Sequence, residues 1–183
     1  MRIIAGKWRG RQLDLPPQNI TRPTTDRVRE ALFSMLISRL VSFDGLSVFD
    51  AFAGSGALGL EALSRGAKHV VFAEKEQGAR RILQHNAAKL KCEGQTSILI
   101  DAFKISKAER PFDLVFMDPP YGMGLESELF SFLAQQSLIN EKTLIVIESH
   151  AEAVPMALIN ANCLDFRTYG NCGLSFFQTD VFG

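Results

Sequence analysis

From residue 46 onward, short apolar segments alternate with segments of helical periodicity, and this alternation restricts the fold more than any other feature. The apolar segments cover residues 46–50, 69–73, 97–100, 113–117 and 143–148. The helical segments cover residues 57–65, 79–90 and 125–134. Strands that are apolar throughout are buried on both faces, which is typical of a parallel sheet with helices on each side. We therefore predict an α/β fold with a mostly parallel sheet, closed by a hairpin with strands near residues 164–169 and 174–181.

The first 45 residues follow a different pattern. Residues 2–15 predict a short β-hairpin, which a linker follows. Thr24 and Thr25 are candidate N-caps of a helix, with Asp26 in its first turn. The apolar residues of this helix recur at helical spacing, at Val28, Ala31, Leu32, Met35 and Leu36.

Features that the sequence lacks narrow the class of protein. No apolar run approaches the ~20 residues that span a bilayer, and the N-terminus lacks the apolar region of a signal peptide. We therefore expect a cytoplasmic protein with no membrane contact, and nothing in the sequence suggests more than a monomer. The three cysteines form no C-x-x-C pair, so neither a disulfide framework nor a metal site is predicted.

Charge is distributed unevenly, although the formal net charge is zero. Residues 1–110 hold 18 Lys and Arg against 11 Asp and Glu, and residues 111–183 hold 2 against 9. We predict two parts, a basic N-terminal hairpin and linker over residues 1–23 and the α/β domain over residues 24–183. A basic pole can bind phosphates while the whole chain stays neutral, and an exposed tryptophan can stack on an unpaired base. The predicted nucleic-acid contacts are Lys7, Trp8, Arg9, Arg11, Arg22, Arg27 and Arg29.

A glycine-rich loop, residues 50–59, joins the first predicted strand to the next helix. Glycines let a backbone approach a ligand closely, and a helix N-terminus favours a negative group. Gly54, Gly56 and Gly59 satisfy the pattern G-x-G-x-x-G, and Glu74 lies 20 residues past Gly54. This is also the pattern of dinucleotide-binding proteins, so the loop alone leaves NAD open as the cofactor.

Acidic residues end four predicted strands, at Asp50, Glu74, Asp101 and Asp118. In an open α/β sheet, ligands bind at the carboxyl ends of the strands. Glu74 is placed to accept hydrogen bonds from ribose hydroxyls, and Asp101 from an adenine amino group, with Phe103 near the ring. Asp50 begins the loop and can hold its geometry or a ligand's ammonium group. This negative rim suits a sulfonium cofactor and suits a pyrophosphate poorly, because like charges repel.

The tetrapeptide Asp118-Pro119-Pro120-Tyr121 follows the strand of residues 113–117. Two prolines stiffen the turn, and Tyr121 offers a flat face on which a base can stack. Asp118 and the Pro119 carbonyl can accept hydrogen bonds from an exocyclic amine, which has two protons to donate. Such bonds would localise the nitrogen lone pair toward a methyl donor, so the tetrapeptide predicts methylation of a base amine.

Four segments together resemble the RsmD family of class I S-adenosylmethionine-dependent methyltransferases. They are residues 2–11 (RIIAGKWRGR), residues 22–30 (RPTTDRVRE), and the loop of residues 50–56 combined with D-P-P-Y at 118–121. Members of this family methylate the guanine N2 at position 966 of bacterial 16S ribosomal RNA. The resemblance therefore implies that activity, with S-adenosylmethionine as cofactor. It implies 16S ribosomal RNA as partner, either naked or within an assembling small subunit.

The resemblance also implies a Rossmann-like fold with a seven-stranded sheet whose last strand is antiparallel. Catalysis is expected at Asp118, Pro119, Pro120 and Tyr121. Cofactor contacts are expected at Asp50, Ala51, Gly54, Ser55, Gly56, Glu74, Asp101, Ala102 and Phe103.

Three other functions compete with this interpretation. A DNA or RNA adenine-N6 methyltransferase shares D-P-P-Y, although the short chain leaves no separate DNA-recognition domain. An NAD-dependent oxidoreductase is supported by the glycine pattern, but no residue is an obvious partner for hydride transfer. A non-catalytic RNA-binding domain fits the basic N-terminus, and the intact D-P-P-Y argues against it.

Overall fold

A computed structural model of the chain describes residues 1–16, 25–106, 110–120, 123–152 and 158–180. The helices are α1 (Asp26–Leu40), α2 (Ala57–Ser64), α3 (Gln77–Leu90) and α4 (Leu125–Gln135). The strands are β1 (Ser47–Asp50), β2 (His69–Ala73), β3 (Thr96–Leu99), β4 (Leu114–Met117), β5 (Leu144–His150), β6 (Ala161–Tyr169) and β7 (Cys172–Thr179). Short 3₁₀ turns lie at Glu93–Gln95 and Ala102–Lys104. Every predicted strand and helix of the α/β domain is present, within a few residues of its predicted bounds.

The seven strands form one sheet in the order β3-β2-β1-β4-β5-β7-β6. Strands β1 to β5 pair in parallel, whereas β7 runs antiparallel to both β5 and β6. The predicted seven-stranded, mostly parallel sheet with an antiparallel last strand is therefore confirmed. The strand order reverses between β1 and β4, and such a switch point opens a ligand crevice at the carboxyl ends of the strands.

Helices cover both faces of the sheet. Helices α1 to α3 pack on one face, where Phe33, Leu60 and Leu83 are fully buried. Helix α4 packs on the other face, where Leu129 and Leu133 are fully buried. This two-sided burial explains why the central strands are apolar along their whole length. Among the described residues, no helix is long and apolar enough to cross a bilayer.

The predicted N-terminal hairpin is shorter than expected. Arg2 and Gln12 form a single antiparallel bridge, and Ile3 N donates to the Arg11 carbonyl at 2.9 Å. Turns occupy much of the intervening chain, with Gly6 and Gly10 at φ of 82° and 81°, so no regular ladder forms there. We call residues 1–16 the N-terminal unit; the linker that follows, with Arg22 and Thr24, lies outside the described residues.

The N-terminal unit is fixed to helix α2 by two buried side chains. The Glu61 carboxylate accepts from Ile4 N at 2.7 Å and from Ala5 N at 3.0 Å. Ser64 Oγ donates to the Ala5 carbonyl at 2.6 Å and accepts from Trp8 N at 3.0 Å. Bonds that satisfy otherwise buried backbone groups hold the unit in one place on the core.

Asn86, on helix α3, joins the N-terminal unit to the glycine-rich loop. Its amide Oδ1 accepts from Asp14 N at 2.8 Å, and its Nδ2 donates to the carbonyls of Asp14 and Ser55 at 3.1 and 3.0 Å. The Asn86 side chain is fully buried. The loop and the N-terminal unit therefore share one hydrogen-bonded support.

Candidate active site

A cavity of about 1400 Å³ opens at the carboxyl ends of the strands, beside the switch point between β1 and β4. Most of the residues predicted to bind the cofactor line it, namely Asp50, Ala51, Gly54, Ser55, Glu74, Asp101, Ala102 and Phe103. Asp118, Pro119 and Pro120 of the tetrapeptide line the same cavity. The fold therefore brings these residues, from four separate strand ends, around one space. Tyr121 lies outside the described residues, so its predicted stacking stays a prediction.

The three glycines of the loop are needed for different structural reasons. Gly54 has a φ of 53° and open space where a Cβ would lie, at the wall of the cavity. Gly56 instead faces the core, where a Cβ would come within 2.2 Å of Leu83 Cδ1. A Cβ on Gly59 would lie 2.3 Å from a ring carbon of Phe72, so this glycine lets α2 pack closely on β2. Gly56 therefore affects the conformation of the loop through its close packing against the core.

Asp50 secures the loop to the helix that follows it. Its buried carboxylate Oδ2 accepts from Gly59 N at 3.0 Å, in the first turn of α2. Burial, together with the charge of Glu74, raises the pKa of Asp50 from its ordinary 3.8 to about 7, although the hydrogen bond from Gly59 N acts to lower it. Asp50 can therefore change its charge near neutral pH.

Glu74 and Asp101 accept backbone hydrogen bonds beside the cavity. The two Glu74 carboxylate oxygens accept from Gly54 N and Glu76 N, each at 2.7 Å. Asp101 Oδ1 accepts from Phe103 N at 3.0 Å and caps the following 3₁₀ turn. A carboxylate has about four acceptor sites, so each group can accept further hydrogen bonds from a ligand.

The tetrapeptide begins directly after β4. Asp118 is partly exposed, Pro119 is buried and Pro120 is exposed. Burial raises the pKa of Asp118 well above its usual value, and the charges of Glu148 and Asp50 raise it further. The carboxyl groups of Glu148 and Asp50 therefore lie close enough to Asp118 to favour its protonated form.

The sequence reasoning missed some residues of the cavity wall. Glu148, nearly buried at the carboxyl end of β5, lines the cavity, as do Tyr169 and Asn171 at the turn between β6 and β7. The signal for Glu148 was present, because it ends an apolar predicted strand as the other four acids do. The β6–β7 turn gave no comparable signal, because its position depends on how the closing hairpin pairs with β5.

The residues that are predicted to contact nucleic acid differ in their exposure. Lys7, Arg9, Arg11 and Arg27 are exposed, and Arg27 also lines the cavity. Trp8 is half-buried against the core, and Lys7 Nζ lies 4.2 Å from the centroid of its ring. The half-burial of Trp8 leaves only part of the ring for stacking on a base.

The burial of Arg29 contradicts its prediction as a nucleic-acid contact. The side chain is fully buried, and its Nη2 donates to the Arg2 carbonyl at 2.6 Å and to Asp26 Oδ1 at 2.9 Å. Among the described residues, its Nε and Nη1 have no hydrogen-bond partner. Arg29 lies three and four residues before Leu32 and Phe33, so it falls on the buried face of α1. Its hydrogen bond to the Arg2 carbonyl therefore links α1 to the N-terminal unit.

The raised pKa of Asp50 predicts how stability depends on pH. Because its folded pKa of about 7 exceeds the ordinary 3.8, the folded protein retains a proton that the unfolded chain has released. Lowering the pH from 8 to 6 should therefore raise the free energy of unfolding by about 1 kcal/mol through this group, with Asp118 acting in the same direction. Urea unfolding of the ligand-free protein at the two pH values measures the change. The Asp50→Asn variant should gain less stability over the same change in pH. An equal change in the free energy of unfolding in both proteins would contradict the assignment of this pH dependence to Asp50.

The strand order, the antiparallel last strand and the acid-lined cavity beside a glycine-rich loop define a Rossmann-like class I methyltransferase fold. The fold is shared with the ribosomal protein L11 methylase of Lactobacillus delbrueckii subsp. bulgaricus, at a TM-score of 0.67 and 18% identity, over 84% of this chain and 79% of that one. Within this class, the chain belongs to the family described as Conserved hypothetical protein 95, whose model matches residues 1–178.

Individual relatives confirm the resemblance that the sequence motifs indicated. The chain is 36% identical to ribosomal RNA small subunit methyltransferase D of Escherichia coli K12, covering 100% of this chain and 92% of the relative. It is 35% identical to the protein of the same name from Haemophilus influenzae, covering 97% and 93%. The solved structure of yhhF from Escherichia coli superposes with a TM-score of 0.84 at 34% identity, covering 99% of this chain and 98% of that one.

Proposed function

We propose that the protein transfers a methyl group from S-adenosylmethionine to the exocyclic N2 of a guanine in 16S ribosomal RNA, at position 966. The observation that carries this proposal is that Asp118 and Pro119 line the same cavity as the glycine-rich loop, Glu74 and Asp101. A target amine and a methyl donor can therefore meet there. The names of the full-length relatives support small-subunit ribosomal RNA, either free or in an assembling particle, as the substrate.

The cavity fits the proposed cofactor better than a dinucleotide. Six acidic residues line it, namely Asp50, Glu74, Glu76, Asp101, Asp118 and Glu148. Carboxylates attract a ligand with a sulfonium and an ammonium group and repel a pyrophosphate. Glu74 is the residue that we assign to the ribose hydroxyls, and Asp101, Ala102 and Phe103 those assigned to the adenine.

Asp118 has two tasks in the proposed reaction. When bound, S-adenosylmethionine supplies a methyl group carried on a positively charged sulfur. Asp118 and the Pro119 carbonyl hold the amine in line with that carbon, so the nitrogen lone pair forms the new N–C bond as the C–S bond breaks. The methylated nitrogen then carries a positive charge and releases one proton, which the Asp118 carboxylate takes up.

Heat protection separates the proposed cofactor from NAD. A ligand that binds only the folded protein raises its melting temperature by mass action. We expect S-adenosylmethionine to raise the melting temperature and NAD to leave it unchanged. Labelled methyl transfer from S-adenosylmethionine to small-subunit ribosomal RNA, compared with genomic DNA, then tests the substrate. Protection by NAD alone, or transfer to DNA but not to RNA, would refute the proposal.

Glu74→Ala should weaken S-adenosylmethionine binding more than it slows the chemical step. The loss of two charge-assisted hydrogen bonds to ribose corresponds to about 1.5–3 kcal/mol each. Calorimetry measures the cofactor affinity, and single-turnover rates at saturating cofactor measure the chemistry. Glu93→Ala removes an exposed carboxylate elsewhere and should change neither. Unchanged cofactor affinity in Glu74→Ala would remove Glu74 from the site.

Neutralising Arg9, Arg11 and Arg22 together should weaken RNA binding and flatten its salt dependence. Basic side chains that contact phosphates release counterions, so three lost contacts should reduce the slope of log affinity against log salt by about 2. The N-terminal unit borders the cavity through Met1 and Leu15, so part of this unit lies near the proposed target.

The matched control neutralises three other basic residues, Lys91, Lys142 and Arg167, which are exposed elsewhere on the surface. Filter binding to small-subunit ribosomal RNA at several salt concentrations measures both triple variants. S-adenosylmethionine affinity should stay the same in each. If the two triple variants lose RNA affinity equally, the N-terminal unit is not the RNA-binding surface.

A further inference from the structure

Glu148 and Asp118 occupy neighbouring positions on adjacent strands, with Asp118 directly after β4 and Glu148 two residues before the end of β5. Met117 pairs with Ile147 in the parallel ladder of β4 and β5, so the next residues, Asp118 and Glu148, lie side by side. Adjacent strands are about 4.8 Å apart, and residues in register point to the same face of the sheet. Both side chains line the cavity, and Glu148 is 9% exposed. The pKa of Asp118 is raised by burial and then by the charge of Glu148, in agreement with this proximity.

Guanine and adenine differ next to their exocyclic amines. In guanine, the N2 amine adjoins the N1–H donor, so this edge presents neighbouring N–H groups. In adenine, the N6 amine adjoins the N1 lone pair, which is an acceptor. An ionised carboxylate is only an acceptor, so it bonds the guanine edge and is repelled by the adenine N1.

We propose that Glu148 determines the base specificity of the site by accepting a hydrogen bond from the N1–H of the target guanine while Asp118 holds the N2 amine. This inference rests on the proposed function and deepens it, because it names the group that distinguishes guanine from adenine. Two neighbouring carboxylates in a cavity repel each other, and a base edge with adjacent donors relieves that repulsion. Adenine offers one amine to Asp118 and leaves Glu148 facing a lone pair.

A site that hydrogen-bonds an N–H group of its substrate strongly rejects an analogue that lacks this group. An apolar pocket discriminates much less between ligands that differ only in shape. The base must leave its stack to present this edge, as enzymes that modify bases require. Glu148 is therefore a specificity-determining residue, with an effect that depends on which base is presented. A purely structural residue would affect both bases alike.

The test uses the full chain and small ribosomal subunits reconstituted from transcribed ribosomal RNA. The methylated position is first mapped with the wild-type protein, and a second transcript then carries adenine there in place of guanine. Labelled methyl transfer gives kcat/KM for both particles with the wild type, Glu148→Gln and Glu148→Ala. Glu141→Gln makes the same chemical change on the exposed residue just before β5, at the opposite end of that strand. Melting temperature and cofactor affinity establish that each variant is folded.

We expect Glu148→Ala to lower kcat/KM for the guanine particle by about 10- to 100-fold, because the N1–H is left unpaired in a buried site. Glu148→Gln should lower the ratio of guanine to adenine methylation, since its amide can also donate to the adenine N1. Cofactor affinity should change by less than about 3-fold, and Glu141→Gln should match the wild type.

Two outcomes would overturn the inference alone. One is a Glu148→Gln variant with the wild-type rate and the wild-type ratio of guanine to adenine. The other is an equal loss on both particles, which would assign Glu148 a structural role. If the wild-type protein itself forms no N2-methylguanosine, the proposed function fails first, and the inference fails with it.

Discussion

Asp118→Ala is expected to reduce methyl transfer by roughly 10³-fold or more, while cofactor affinity stays within a few-fold of the wild type. The substitution removes the acceptor that positions the amine and the group that receives its proton. Single-turnover kinetics at saturating S-adenosylmethionine measure the loss, and calorimetry measures the affinity. A rate within a few-fold of the wild type would contradict the mechanism.

Asp118→Asn provides the matched control for folding. Burial and the neighbouring charges of Glu148 and Asp50 raise the pKa of Asp118, so its ionised form is unfavourable in the folded protein. Replacing it with a neutral amide should therefore raise the melting temperature at pH 8 while activity falls. A variant that is more stable and inactive cannot owe its inactivity to unfolding.

Glu61→Ala should cause a large loss of stability, about 3–5 kcal/mol. The Glu61 carboxylate is fully buried, accepts from Ile4 N and Ala5 N, and pairs with Arg65 Nε at 2.7 Å. Its removal leaves two backbone donors and the mostly buried Arg65 guanidinium without their acceptor. Urea unfolding measures the change in the free energy of unfolding.

The control for Glu61 is Glu93→Ala, which removes an exposed carboxylate and should change stability by less than about 0.5 kcal/mol. We also expect RNA affinity to fall in Glu61→Ala, because the N-terminal unit loses its attachment to α2. If Glu61→Ala loses less than about 1 kcal/mol, the buried pair is not what holds the unit in place.

The sheet and its helices could be predicted because each element carries its own local pattern. The strand of residues 69–73 is a continuous apolar run that ends at Glu74, and the structure gives β2 the same bounds. Thr25 was predicted as an N-cap, and its side chain accepts from Val28 N. Cofactor residues at strand ends were also predictable, since parallel strands all bring their carboxyl ends to one edge of the sheet.

What could not be predicted depends on contacts between distant parts of the chain. The docking of the N-terminal unit relies on Glu61, Ser64 and Asn86, which are 56–72 residues away from their partners. Arg29 is a different case, because its spacing from Leu32 and Phe33 puts it on the buried face of α1 despite its charge. Glu148 also carries a local signal, because it ends an apolar predicted strand as Asp50 and Glu74 do.

The most direct test of the central claim is the identity of the methylated nucleoside. Small-subunit ribosomal RNA is incubated with the purified protein and isotopically labelled S-adenosylmethionine, digested to nucleosides and analysed by mass spectrometry. The proposed function predicts label in N2-methylguanosine, arising from a single position and absent with Asp118→Ala. Label in N6-methyladenosine, or no label in any nucleoside, would contradict it.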